Sequence, residues 1–162
     1  MTTTDPQIAA WLDQMDQLVA KNIRTNGVHL EHIFGEPSLQ RASMTYTVGL
    51  FGIAHPELLV LGMCHHDAFG MLNYLAAQIR DGRQLVAGEL ITFPDWPHRV
   101  VVEVCPNPGE IVFGANRHYQ RPDEASVPVL QLTTDDKAGL FPWDDGYSVP
   151  TWIQPRPGTF SA

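Results

Sequence analysis

Apolar residues recur along this chain with two different periods, and each change of period marks a new element. Ile8, Trp11, Leu12, Met15, Leu18, Val19 and Ile23 advance by threes and fours, which places one apolar stripe on a helix over about residues 5–24. Thr4 followed by Gln7 suits a capping box, Pro6 fits a first turn, and Asn26-Gly27 supplies a left-handed stop. The pattern then shortens. Val28, Leu30, His32 and Phe34 alternate as one face of a strand over residues 28–34, and two further β-prone runs cover residues 44–51 and 57–63. The second of these is apolar at nearly every position, as a central strand covered on both faces should be. Helical spacing returns in Ala68, Leu72, Leu75, Ala76 and Ile79, with His66 or Asp67 as the cap and Asp81-Gly82 as the stop.

Three more strands are predicted over residues 84–93, 98–105 and 127–133. Gly88 suggests a bulge or bend in the first, and Pro128 argues that the last begins at a sheet edge. A short helix is expected around residues 110–115. Residues 139–158 are rich in Pro and aromatic side chains, so Phe141, Trp143, Tyr147 and Trp152 would pin an irregular tail to the core. The expected fold is α+β: a mostly antiparallel sheet of about six strands with helices packed on it. An N-terminal amphipathic helix (residues 1–26) would lie on a single α+β domain (residues 27–162) that ends in the Pro/Trp-rich tail.

Composition narrows the choice of function. The chain has 162 residues, long enough to bury a core without staples, and 44% of them are apolar. No apolar run approaches the ~20 residues of a membrane span, and no basic-then-apolar leader follows Met1. Cys64 and Cys105 read as two free, buried thiols in a reducing cytoplasm. Eighteen acids against ten bases leave a net charge of −8, and the only lysines are Lys21 and Lys137. Such a chain is repelled by phosphate backbones, so nucleic acid is disfavoured, whereas a basic protein partner is attracted.

No motif of high catalytic specificity is present. His29 and His32 point to opposite faces of a strand, which disfavours a shared metal. Cys64-His65-His66-Asp67 sits at a strand-to-helix junction, where sites often lie, but a capping role competes with a metal or nucleophile role. Asp135-Asp136 and Asp144-Asp145 suit turns better than paired acid–base chemistry. The reading calls for no metal and no cofactor.

A set of short motifs carries a resemblance. Tyr46-Thr47-Val48-Gly49-Leu50, His55-Pro56-Glu57-Leu58, Gly62, Leu72-Asn73, Leu75-Ala76, Gly82 and Gly88 form its first part. Gln131, Asp135, Gly139, Phe141-Pro142-Trp143-Asp144 and Gly146-Tyr147 complete it. Together they resemble a bacterial family known as domain of unknown function 4262, over about residues 27–158, with Val28 where the family pattern favours Trp. That resemblance implies no activity. The order of Thr47, Gly49, Leu50, Glu57, Leu58, Leu72, Leu75, Ala76 and Gly82 also resembles suppressor-of-fused-type domains, whose bacterial members are regarded as protein-binding modules.

The resulting expectation is a non-enzymatic, immunity-like or regulatory protein-binding module, cytoplasmic and with homodimerisation open. Two alternatives stand beside it. One is a small-molecule hydrolase with His/Asp acid–base chemistry, its pocket formed where His55, His65, Asp135 and Trp143 converge, with Tyr46 and Asp144 as further candidates. The other is a flavin-binding split barrel.

Overall fold

The computed structural model describes residues 5–162. Helix α1 (Pro6–Asn26) precedes strands β1 (His29–Ile33), β2 (Met44–Val48) and β3 (Glu57–Leu61). Helix α2 (His65–Arg80) follows, then β4 (Leu90–Phe93), β5 (Trp96–Val104), the short helix α3 (Phe113–His118) and β6 (Val129–Thr134). The strands form one open sheet in the order β1-β2-β3-β6-β5-β4. Four of its pairings are antiparallel and one, β3 with β6, is parallel, so the sheet is mixed. Among the described residues β1 and β4 are edges, so the sheet is open and not closed as in the split-barrel alternative.

Strand alternation builds two cores, one on each face. Leu58 and Val60 of β3, Val100 and Val102 of β5, and Leu130 and Leu132 of β6 meet the α2 stripe of Ala68, Met71, Leu72, Leu75, Ala76 and Ile79. On the reverse face Met44, Tyr46, Val48, Leu59 and Leu61 pack with Val112 and Ala115 around α3. Every residue of β3 is buried, the two-sided cover that its apolar run predicted.

Several expectations are corrected. β6 is an interior strand between β3 and β5, not an edge. Pro128 precedes its first paired residue, so no ladder N–H is missed, and the Pro128 carbonyl accepts from Glu57 N at 3.0 Å. β4 begins only at Leu90, because Gly88 turns with φ +90° and the Leu85 N–H is spent on His55. The irregular pairing of that hairpin lies between Thr92 and Phe93. Cys64, not His66 or Asp67, is the N-cap of α2, and it makes no side-chain capping bond.

Helix α1 behaves differently from α2. Gly27 ends it in the left-handed region as expected, but its N-cap is Asp5, whose carboxylate accepts from Gln7 N at 2.7 Å. Thr4 lies outside the described residues. No α1 residue is fully buried. Val19 and Ile23 rest on the second core, and Asn22 donates to His29 Nδ1 on β1 at 2.9 Å. The N-terminal half leaves its stripe largely uncovered.

The tail closes the remaining part of the second face. Gln131 on β6 donates to the Pro155 carbonyl at 3.0 Å. The Arg156 guanidinium clasps Glu103 of β5 through two bonds of 2.7 and 2.8 Å. Gln154 both donates to and accepts from the Thr134 backbone, extending the ladder with its side-chain amide.

Candidate functional site

Glu57, at the start of β3, is a fully buried carboxyl with four hydrogen-bond donors. Its Oε1 accepts from Thr47 Oγ1 at 2.8 Å and Leu50 N at 3.1 Å. Its Oε2 accepts from Gly49 N at 3.1 Å and Phe51 N at 3.0 Å. Burial pushes this carboxyl above its ordinary value, opposed by those same four donors. The Thr47-Val48-Gly49-Leu50 and Pro56-Glu57-Leu58 motifs are therefore two halves of one latch that folds the β2–β3 connection onto the sheet. Glu57 was not among the candidates. The signal for it was an acid opening an otherwise apolar strand, opposite a Gly-bearing turn.

His55 and Tyr46 are anchors of the same kind. His55 is buried, with Nδ1 against the Pro56 carbonyl at 2.7 Å and Nε2 accepting from Leu85 N at 3.0 Å. Both ring nitrogens are occupied, and the ring fastens residues 81–89 to the sheet. Tyr46 accepts from Gly114 N at 3.0 Å, and burial pushes its phenol up to about 12. That bond ties α3 to β2.

The parallel pair β3/β6 places two strand ends side by side, and a cavity of about 290 Å³ opens at their carboxyl ends. Cys64, Asp67, His98, Thr134 and Asp135 line it. Asp135 is buried and accepts from His98 Nδ1 at 3.0 Å, Arg99 N at 3.2 Å and Arg99 Nε at 3.4 Å. In the neutral ring this bond assigns the proton to Nδ1 and the lone pair to Nε2. The Oγ1 of Thr134, a residue of that lining, is enclosed and has no hydrogen-bond partner among the described residues. Cys64 is exposed here, a correction to the expected buried thiol, whereas Cys105 is buried and its thiol is pushed up by burial.

The four residues expected to converge do not. His55 and Asp135 line different cavities. His65 lies against His32, Phe34 and Phe69, with ring centroids 5.7 to 6.2 Å away. Trp143 stacks on Phe141 at 5.1 Å and carries Arg156 on its ring at 5.2 Å. It reaches Asp135 only indirectly, through Phe141 and the Arg99 above it. Asp144 accepts from Phe141 N at 2.9 Å and Asp136 accepts four bonds from Ala138, Leu140 and Ser148, so both are turn formers. His55 shares its cavity with Arg80, Arg83 and Gln84 but has both ring nitrogens spent on the backbone, whereas Asp135 faces its cleft beside a histidine. His98, the partner that gives it a chemical role, was missed because alternation marked it only as the first residue of a strand.

Among the described residues no three His, Cys, Asp or Glu groups approach closely enough to hold a metal ion. No described helix is long and apolar enough to cross a membrane. The family model for a domain of unknown function, DUF4262, matches residues 22–148. No curated protein and no solved structure matches the chain.

Proposed function

The chain belongs to the DUF4262 family, whose match begins at residue 22 within α1, and we propose that it is a non-enzymatic protein-binding module that docks its partner along the exposed stripe of that helix. One observation carries the reading. Ile8, Trp11 and Leu18 lie on one side of α1 and are 54%, 57% and 44% exposed. A tryptophan and two aliphatic side chains in a row on a helix are suited to anchoring a partner. The net charge of −8 would steer a basic protein toward this surface. The resemblance to suppressor-of-fused-type domains points the same way. Placing a photo-crosslinking residue at Trp11 in the native host tests it. A discrete adduct that disappears with Leu18→Asp supports the reading, and its mass separates a second copy from another protein. An absent adduct, or one indifferent to Leu18→Asp, removes it.

A second reading rests on the His98–Asp135 pair. A histidine held by a buried carboxylate in a cleft is equipped for acid–base work on a small substrate. In a screen of model esters, any hydrolysis should fall at least about a hundredfold in His98→Asn and Asp135→Asn. Turnover unchanged in both variants would leave the pair a structural brace for the start of β5.

A further inference from the structure

A second cavity of about 350 Å³ adjoins the first, between α2 and the β4–β5 hairpin, and shares Asp67 and Trp96 with it. Its size falls within the ~300–1,000 Å³ of small-molecule sites. Three aromatic rings in series wall one side. Tyr74 meets Phe93 with centroids 5.6 Å apart and planes at 62°, and Phe93 meets Trp96 at 5.2 Å and 77°. Rings this steeply inclined form the corner of a box, not a flat stack. Met71 adds an apolar side chain to the lining, and Gly70 lies on its open side, where an added Cβ would meet nothing within 4 Å. Asp67 stands at the junction of the two cavities, exposed, with no salt bridge or side-chain hydrogen bond among the described residues. His66 and Tyr74 are the other titratable side chains of the lining.

We infer that this aromatic slot is a binding site for a small organic cation, an alkylated ammonium whose apolar groups lie against Tyr74, Phe93 and Trp96 with its charge beside Asp67. The negative faces of aromatic rings attract such a cation, most strongly on Trp, and a desolvated wall strengthens the attraction. Asp67 adds a carboxylate with no cation of its own, and the chain's net charge of −8 raises the local concentration of cations. The same charges repel a carboxylate or phosphate ligand. An uncharged ligand of equal shape gains only the apolar contact. The inference needs neither reading above, because neither α1 nor His98 lines the slot, although Trp96 of its wall packs on the His98 ring at 5.0 Å.

Choline and its uncharged isostere 3,3-dimethylbutan-1-ol separate these possibilities, titrated into the full chain by calorimetry and tryptophan fluorescence. Choline is expected to bind at least about fivefold more tightly than the alcohol. Asp67→Asn should remove most of that preference with at most a small drop in melting temperature, since the residue is exposed but sits in the first turn of α2. Trp96→Leu should weaken both ligands, and Tyr74→Leu repeats the aromatic test at a more exposed ring if loss of Trp96 disturbs the hairpin. Equal affinity for the two compounds, no binding of either, or an undiminished preference in Asp67→Asn overturns the inference.

Discussion

Glu57 brings a carboxylate into the middle of the sheet, where removing an ion from water costs several kcal/mol unless hydrogen bonds replace the solvent. Four donors do so, two on each oxygen. A glutamine has the same shape but turns an NH2 group toward two of those donors. Glu57→Gln is therefore expected to lower stability by about 2–4 kcal/mol, read from the midpoint of urea unfolding. Asp136 is a different case, because the N–H of Leu140 and then the Ser148 and Ala138 groups hold its carboxyl below the ordinary 3.8. A depressed carboxyl contributes stability that is complete above its unfolded value and is lost as pH falls through the folded one. Parent and Asp136→Asn should thus differ most above about pH 4 and converge as the pH is lowered below the ordinary carboxylate range, followed by urea unfolding at each pH. A gap that stays constant with pH would show that the charge of Asp136 is not what holds the turn. The turn role of Asp136 was legible in the sequence, but not the donors that reach it from residues 138–148. Glu57 reads only as the polar start of a strand, and the folded chain alone brings it the donors of residues 47–51.

The two long helices show how far periodicity reaches at the scale of an element. Their stripes look alike in sequence, and both helices form close to the predicted bounds with the predicted stops. What periodicity does not record is the partner of the stripe. The α2 stripe is buried against six interior apolar side chains of the sheet, whereas Ile8, Trp11 and Leu18 of the α1 stripe stay exposed while Val19 and Ile23 rest on the second core. The energetic consequence is measurable. Leu72→Ala in α2 should cost about 2–5 kcal/mol, since Leu72 is completely enclosed and the cavity cannot collapse fully. Leu18→Ala in α1 should change stability by no more than about 0.5 kcal/mol. Chemical unfolding of the two variants side by side decides whether α1 is a core element or a presented surface. Comparable losses would remove the basis for docking along α1. Strand boundaries were less legible than helices, β4 most of all, because its predicted first half is loop held by His55 and Gly88, a long-range bond and a backbone conformation that alternation does not register.

At the scale of the whole molecule, the feature least visible in the sequence is the one that creates the cleft. Alternation identified six strands and two-sided cover for β3, but nothing in a period-2 pattern says that β6 returns parallel to β3. That single crossover sets the ends of both strands side by side and brings Cys64, His98 and Asp135 to one cavity from three separate elements. The tail then forms the cavity's far wall through Val149, Ile153 and Gln154. Its seat depends on Gly62, which has φ +75° and lies so close to the Ile153 carbonyl that a Cβ would overlap it. Gly62→Ala therefore faces two obstacles, a left-handed backbone and a backbone oxygen that is held in place by the neighbouring bonds of Gln154 and Pro155. The strain can be released most easily by lifting the tail, which is joined to the sheet by a few polar contacts, and not by moving the fully buried β3. Gly62→Ala is accordingly expected to destabilise the fold by about 1–3 kcal/mol. Hydrogen exchange should accelerate selectively in residues 149–158 while the β3 and β6 amides stay protected. Uniform acceleration across the sheet would instead mean that the tail and the strands open as one unit, and that the cleft has no wall able to move independently of the core.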